Sequence, residues 1–563
     1  MAFKELDSLR TDSGTGPDGC PAKILQYCAR ELALPVAMLT MRILASMQWP
    51  DSWREHWIIP IHKKLATFLP SNYRGVHLTA QLSKVVERLI KQMLDPYLER
   101  TIAYGTNQFA YRKKRGSRDV LALLMLEWLS IFDRRGKIGF YCSDVSGAFD
   151  KVDSRRLAEK LRAKGINQRL VNLLISWCED RNAKVAVGGC FSEPFKLANQ
   201  VFQGTVLGPI LWNLYFEDSC VAIRKTGHNE VVFADDLNAW KEYKRSSRNT
   251  TIFKQSRNCQ AELHEWGRAN AVTFDSKKEH FSVLSREAPE GPSIKLLGVS
   301  FDTKLKMECA VATLVNDTNW KLRTLLRTRK FFDTKNLIQL FKMRILGYVE
   351  YRTAAIYHAS ATALGQLDLV YNRLLQAAGL TKEESLLHFG LAPLNARRDI
   401  SMLGIIHRTV LGGGPDQFKR FFILADDSLH PSGRKNISAH NKQLRSYRNG
   451  QFLETTAHSL LGAIDVYNLL PEYIVAAEDI STFQNRLQQL LKAAARDGCP
   501  GWSAFLSNRH LIFQHPLLRF GGFVGTKYVG NSGNNVSVQK TTAQECIMGW
   551  LNFGQGMLHP HNE

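Results

Sequence analysis

The chain has 563 residues, 44 % of them hydrophobic, with 74 Lys and Arg against 52 Asp and Glu, a formal net charge of +22. That length points to several domains, and the apolar share is ordinary for a globular protein and enough for a sizeable core. No run of about 18 apolar residues occurs, which excludes a transmembrane helix, and a cationic excess spread along the chain favours polyanions, nucleic acid first and an anionic membrane surface second.

In chain order, the opening MAFKELDSLR lacks the basic-then-apolar pattern of a signal peptide. The 10 cysteines include no C-x-x-C pair, and the closest two, Cys20 and Cys28, have no zinc-ligand partners nearby, so they read as reduced core thiols of an intracellular protein. LALPVAMLTMRILASMQW (32–49), interrupted by Pro35 and Arg42, reads as a buried helix. LSKVVERLIKQML (82–94) repeats apolar residues at helical spacing through Leu82, Val85, Val86, Leu89, Ile90 and Met93. KIGFYCSD (137–144) is a short β-type run ending in an acid, and SRRLAEKLRAKG (154–165) a helix capped by Asp153 or Ser154 and stopped at Gly165.

KVAVGG (184–189) and FSEPFKL (191–197) predict a hairpin, and GPILWNLYFEDSCVAI (208–223) one helix entered through Gly208-Pro209. VVFADDLNAW (231–240) predicts a second hairpin, followed by a helix near 253–269, a strand HFSVL (280–284) and β-like IKLLGVSFD (294–302). After about 305 the pattern turns helical and basic, as in NWKLRTLLRTRKFF (319–332). Beyond about 430 the signal weakens, and GNSGNNVSV (530–538) predicts a loop near a disordered end. The alternation in the middle suits an α+β domain with a mostly antiparallel sheet and helices on one face.

Chemistry concentrates at Asp235 and Asp236, two carboxylates at the bend of a hairpin between apolar runs. Close carboxylates repel, and one is pushed to protonate unless a hard divalent cation such as Mg²⁺ or Mn²⁺ offsets the charge. Asp144, at the end of another strand, supplies a third acid. Three such acids clamping two ions about 3.5–4 Å apart are a common device for phosphoryl transfer. FFILADDSLH (421–430) shows that an apolar run before Ala-Asp-Asp is cheap by itself, because it has no evident second strand and no partner acid on a preceding one.

The wider context is more specific. SDVSGAFDKVDSRRL (143–157), VFQGTVLGPILWNLYFED (201–218), VVFADDLNAW (231–240) and LLGVSFDTKLKM (296–307) together resemble the reverse transcriptases of non-LTR (LINE-like) retrotransposons. WIIPIHKK (57–64), SNYRGVHLTAQLSKVVERLI (71–90) and NQFAYRKKRGSRDVLALL (107–124) resemble the fingers blocks of that family, so the resemblance spans roughly 14–410.

The resemblance implies an α+β right-hand polymerase with a ferredoxin-like antiparallel palm sheet and a mostly helical C-terminal region. It divides the chain into fingers at 1–135, interleaved with a palm at 136–303, a helical thumb at 304–410 and a region of unknown role at 411–563. Asp144 and Asp235 would be metal ligands for Mg²⁺ or Mn²⁺, with Asp236 the adjacent acid. Phe149 would be the steric gate against a ribose 2′-hydroxyl, Gln203 and Gly204 would meet nucleotide and template, and Lys63 or Lys64 with Arg74 would close on the triphosphate. Lys277, or Lys278 beside it, would stand near the leaving pyrophosphate. Lys113, Lys114, Arg115 and Arg118, and then Lys321, Arg323, Arg327, Arg329 and Lys330, fit a template–primer track through phosphate contacts.

Three positions depart from the family pattern: Phe202 and Gly75 stand where proline is usual, and Phe233 where tyrosine is more familiar. No endonuclease block, Cys/His knuckle or RNase H acid set is recognisable, so the chain reads as a polymerase core from a longer reading frame. The implied partners are an RNA template, a DNA primer or target and dNTPs, with no membrane and a nuclear location consistent with the family. The alternatives are a group II intron-type reverse transcriptase and a non-catalytic RNA-binding relic of a retrotransposon.

Overall fold

The computed structural model describes residues 1–63, 65–425, 440–447, 451 and 453–519. Lys64, the acids of the second Ala-Asp-Asp run and the segment 530–538 lie outside the described residues. The chain divides into two compact units, one of Met1–Gly116, Gly139–Tyr243 and Ser247–Val283, the other of Ser117–Ile138, Lys244–Ser246 and everything from Leu284 onward.

The first unit holds a five-stranded sheet. β1 (Glu55–His62) pairs antiparallel with β2 (Tyr73–Leu78), in a register from Trp57 opposite Leu78 to His62 opposite Tyr73. Strand β4 (Arg181–Val187) runs parallel on the other side of β1, and the short β5 (Cys190–Phe191) and β6 (Phe195–Leu197) fold back antiparallel onto β4. A second sheet has the order β7 (Asn229–Phe233), β8 (Asp236–Tyr243), β3 (Lys137–Asp144), β9 (His280–Leu284), so that β3, the first of these in sequence, lies inside.

The helix Gln81–Arg100 buries Val85, Val86, Leu89, Ile90, Leu94 and Leu98 on one stripe, as its periodicity predicts. The helix Ala29–Ser46 differs from expectation. Val36, Thr40 and Ile43 face the core, but Leu34, Met38 and Met41 are 68 %, 62 % and 69 % exposed, so it is a surface helix with two apolar faces rather than a buried one. The predicted helix 208–223 is also two helices, Gly208–Phe216 and Ser219–Lys225. The break falls at Glu217 and Asp218, whose carboxylates accept from Lys164 (2.7 Å) and Lys160 (2.6 Å).

The second unit is mostly helical. Its helix Ser117–Asp133 is buried along nearly its whole length, with Trp128 edge-on to Phe301 at 5.7 Å. The hairpin β10 (Ile294–Leu296) and β11 (Val299–Phe301) leads to Asp302. Its carboxylate accepts the backbone N–H groups of Lys304, Lys306 and Met307 at 3.0, 3.0 and 2.6 Å, which starts the helix Glu308–Arg327. The region after 410 belongs to this unit: Asp133 accepts from the Leu453 backbone at 2.8 Å and from the Thr456 hydroxyl at 3.1 Å.

The sheet holds its covering helix at very close approach. A Cβ on Gly139 in β3 would stand 2.5 Å from Ile252 Cγ2 and 2.9 Å from the Tyr243 ring. Gly139→Val should therefore cost about 1–3 kcal/mol by overpacking, read as a lowered urea midpoint, while Gly139→Ala should cost less.

Candidate active site

The bend between β7 and β8 consists of Ala234 and Asp235, because Phe233 pairs with Asp236 across it. Ala234 has φ +61°, a left-handed conformation that costs a residue with a Cβ roughly 1–2 kcal/mol. Its surroundings hold it there. Gln108 Oε1 accepts the Ala234 N–H at 3.0 Å, and the Ala234 carbonyl accepts from Gln108 Nε2 at 3.2 Å and from Trp212 Nε1 at 3.0 Å. This clamp fixes where the next two side chains, the paired acids, begin.

Asp144 closes β3, which neighbours β8 in the sheet. Asp144 lies close enough to act on the Asp236 carboxyl. Burial, then Asp235, then Asp144 push the Asp236 carboxyl up to about 7, with Lys278 opposing them. Burial also raises Asp235, and the charge of Asp144 adds to it, while Lys278 and Arg74 act the other way. The three carboxylates are thus mutual neighbours in a half-buried place, the arrangement in which a proton or a cation must make up the charge.

The chain beyond β3 brings that cation itself. Ser146 N–H donates to the Thr273 carbonyl and Asp275 N–H to the Asp144 carbonyl, both at 2.9 Å, which lays segment 273–275 alongside. A tight turn at Asp275 then carries Lys278 Nζ to 2.6 Å from Asp144 Oδ2 and 3.6 Å from Asp275. Lys277 is exposed, its backbone N–H on Asp275 at 3.1 Å. Of the two lysines left open by the sequence, Lys278 touches the acids. Beneath it, buried Glu279 accepts from Tyr141, from Gln260 at 3.0 Å and from His264 at 2.9 Å, anchoring the turn.

Among the described residues no three His, Cys, Asp or Glu side chains stand in a geometry that would hold a metal ion. The donor set still fits a hard divalent cation in kind: three carboxylates, two of them raised by burial and then by the charge of their neighbours. It is not arranged around one, since Asp144 Oδ2 faces Lys278 Nζ at 2.6 Å.

Lys63 and Arg74 lie on the β1–β2 ribbon, where Lys63 N–H donates to the Asn72 carbonyl at 2.8 Å and Arg74 pairs with Ile61. Both are exposed. Arg74 acts electrostatically on Asp235 and on Tyr111, and Lys63 on Asp150. Half-buried Phe149 sits in a short turn after Gly147, its ring 6.1 Å from Trp212, and its carbonyl accepts from Val201 at 2.9 Å.

The Gln203 carbonyl accepts from the His77 N–H at 2.7 Å. Gly204 has φ +105°, and a Cβ there would lie 2.8 Å from the His77 carbonyl, so glycine alone fits against β2. Phe202 is fully buried in a cage of His56 (4.6 Å), Trp177 (5.1 Å) and His77 (5.4 Å), with the Arg181 guanidinium 5.2 Å over its ring. The departure from proline therefore fills a pocket. At Gly75 the opposite holds, because a Cβ would meet Ile58 at 2.9 Å.

The basic residues disperse. Lys113 pairs with Asp95 at 3.6 Å, Arg115 donates to the Thr106 carbonyl and lies 5.5 Å over Phe109, and Lys114 takes φ +59°. Arg118 opens the helix Ser117–Asp133 and donates to Ser401 at 3.1 Å. On the helix Glu308–Arg327, Lys321 lies 4.8 Å over Tyr348, while Arg323 and Arg327 are exposed on the same side as Trp320, which is 68 % exposed.

Sequence reasoning left out the groups that act through others. Gln108 and Trp212 clamp the bend. Glu87, buried in the helix Gln81–Arg100, accepts Val206 and Leu207 N–H groups at 2.8 and 3.0 Å and so holds the start of the helix Gly208–Phe216. Arg181 and His56 meet at 3.0 Å, and His56 and His77 at 3.0 Å, under the Gln203 loop, both histidines kept neutral by burial. Nothing in the spacing of these residues announces such contacts.

Residues 61–301 match the reverse transcriptase (RNA-dependent DNA polymerase) family. The chain is 26 % identical over 404 residues to the RNA-directed DNA polymerase from mobile element jockey of Drosophila funebris, covering 66 % of this chain and 43 % of that protein. It is 28 % identical over 214 residues to the probable RNA-directed DNA polymerase from transposon BS of Drosophila melanogaster, 38 % of this chain and 24 % of that one. The matched region thus spans less than half of either relative. A solved telomerase from Candida albicans, in complex with a fragment of telomeric RNA, aligns with a TM-score of 0.37 and 13 % identity over 64 % of this chain and 68 % of its own.

Asp236 yields a pH prediction. A carboxyl raised to about 7 holds a proton in the fold that the unfolded chain has released, so stability falls as pH rises from the unfolded value of about 4 through 7 and then levels. Asp236→Asn should raise Tm by about 2–4 °C at pH 8 and leave it unchanged near pH 4. Added Mg²⁺ should raise the Tm of the parent protein at pH 8 and not that of Asp235→Asn.

Proposed function

We propose that this chain, which carries a reverse transcriptase domain related to those of non-LTR retrotransposons, synthesises DNA on an RNA template. The observation that carries the reading is the meeting of Asp144 with the Asp235–Asp236 bend, under a lysine.

In this reading Asp144 and Asp235 hold Mg²⁺ or Mn²⁺, with Asp236 behind them. When bound, a hard divalent cation there would lower the pKa of a primer 3′-hydroxyl and neutralise phosphate charge. The chain's own residues do the rest. Lys278, held at the acids by the Asp275 turn, leaves Asp144 and donates a proton or a positive charge to the departing pyrophosphate. Lys277 is the alternative donor one residue away.

Arg74 and Lys63, exposed on a two-stranded ribbon and felt by Asp235 and Asp150, bind the triphosphate. Phe149, braced by Trp212, excludes a ribose 2′-hydroxyl. The Gln203–Gly204 loop meets the base pair being formed, its backbone kept open by the absence of a Cβ. Fingers at 1–135, palm at 136–303 and thumb at 304–410 assign these parts to the polymerase hand. Lys113, Lys114, Arg115 and Arg118, with Lys321, Arg323 and Arg327, contact the template–primer backbone.

Purified protein should extend a DNA primer on an RNA template with dNTPs and Mg²⁺, and Asp235→Asn should reduce extension by about 10³-fold or more while RNA affinity changes less than twofold. Extension absent under Mg²⁺ and Mn²⁺, with RNA binding intact, supports the non-catalytic relic instead. Phe149→Val should admit rNTPs, read as ribonucleotide incorporation in the same assay.

A further inference from the structure

Three neighbouring strands each put one polar side chain into the core beneath the Gln203–Gly204 loop. His56 comes from β1, His77 from β2 and Arg181 from the start of β4. His56 is fully buried, Arg181 is 2 % exposed and His77 5 %. The guanidinium also donates to the Trp53 carbonyl at 2.7 Å and to the Trp177 carbonyl at 2.6 and 2.8 Å. Glu87 is the charge that acts on it most strongly.

The direction of this chain follows from what each group can do. A guanidinium only donates, so His56 Nε2, 3.0 Å from Arg181 Nη1, is a bare acceptor. Burial keeps the imidazole neutral, and its one proton therefore sits on Nδ1. That N–H donates to His77 Nδ1 at 3.0 Å, which leaves the His77 proton on Nε2. Arg181 thus sets the tautomers of two histidines in turn, and with them the orientation of the ring on β2.

His77 is where this order reaches the loop. Its backbone N–H donates to the Gln203 carbonyl at 2.7 Å, and a Cβ on Gly204 would stand 2.8 Å from its own carbonyl. Phe202, one residue before Gln203, packs its ring on both imidazoles and on the guanidinium. Glu87 holds the far side of the loop through the Val206 and Leu207 N–H groups. Apolar side chains in the same space would avoid desolvating a charge and two imidazoles, so packing alone does not account for them. We propose that His56 and His77 are positioning residues: with Arg181 they hold the Gln203–Gly204 loop at one height above β2, where it shapes the pocket for the base pair being formed. The part played toward the nucleotide rests on the polymerase reading above; the hold on the loop does not.

The test begins with the full parent chain, ¹⁵N-labelled at histidine. Its NMR spectrum should show His56 as the Nδ1–H tautomer and His77 as the Nε2–H tautomer. His77→Leu leaves the His56 N–H without an acceptor, whereas the side-chain oxygen of His77→Asn takes the place of Nδ1 and accepts it. In His77→Leu, hydrogen exchange at the Gln203–Leu207 amides should quicken about tenfold, and the KM for dNTP in primer extension should rise about tenfold with kcat within about twofold. His77→Asn should bring both back to within about threefold of the parent. Reversed tautomers in the parent would overturn the proposal, as would loop exchange in His77→Asn as fast as in His77→Leu, or at parent speed in both. If His77→Leu does not fold, the parent tautomers and the exchange of His77→Asn decide in its place, parent-like exchange supporting the chain and a gain of about tenfold overturning it. Faster loop exchange with an unchanged KM would overturn the part played toward the nucleotide. A parent chain that extends no primer sinks the polymerase reading alone, because tautomers and loop exchange still decide the positioning.

Discussion

The structure turns on three carboxylates kept together where water is scarce. Asp144, Asp235 and Asp236 come from two neighbouring strands, and each of the bend's acids is pushed toward protonation by burial and by its fellows. Folding alone gains nothing from this. The cost is met by a clamp of hydrogen bonds on Ala234 and by an internal cation, Lys278, on Asp144. A place that is costly in the resting protein and suited to a positive charge is where an enzyme gains on binding one.

The rest of the first unit is arranged around that constraint. Gln108 and Trp212 reach the bend from segments more than 20 residues away in sequence. The Asp275 turn, anchored through Glu279 by Tyr141, Gln260 and His264, delivers the lysine. The Gln203–Gly204 loop lies on β2 over a buried Arg181–His56–His77 chain, which lets polar groups support a loop from inside the core. A buried polar chain of this kind is tolerated because each member has a partner.

Much of this was legible in the sequence, for identifiable reasons. Strand ends with acids, a two-residue bend and helical stripes are local patterns, so β3, the β7–β8 hairpin and the helix Gln81–Arg100 emerge from spacing alone. The choice between Lys277 and Lys278 did not, because a turn at Asp275 decides which lysine points at Asp144. The surface helix Ala29–Ser46 misled for a related reason: apolar residues on two faces predict burial, and only packing shows that one face has nothing on it. Glu217 and Asp218 split a predicted helix because lysines distant in sequence reach them. Gly75 and Phe202, read as departures, are accounted for by a close contact with Ile58 and an aromatic cage.

The most direct test of the central claim is anomalous scattering from Mn²⁺ in a crystal of the protein with RNA template, DNA primer and a non-hydrolysable dNTP. The account predicts a peak at ligand distance from carboxylate oxygens of both Asp144 and Asp235, with Lys278 moved off Asp144, and no peak there in Asp144→Asn. A fully bound nucleotide with no Mn²⁺ between those two side chains, and Lys278 still on Asp144, would contradict it.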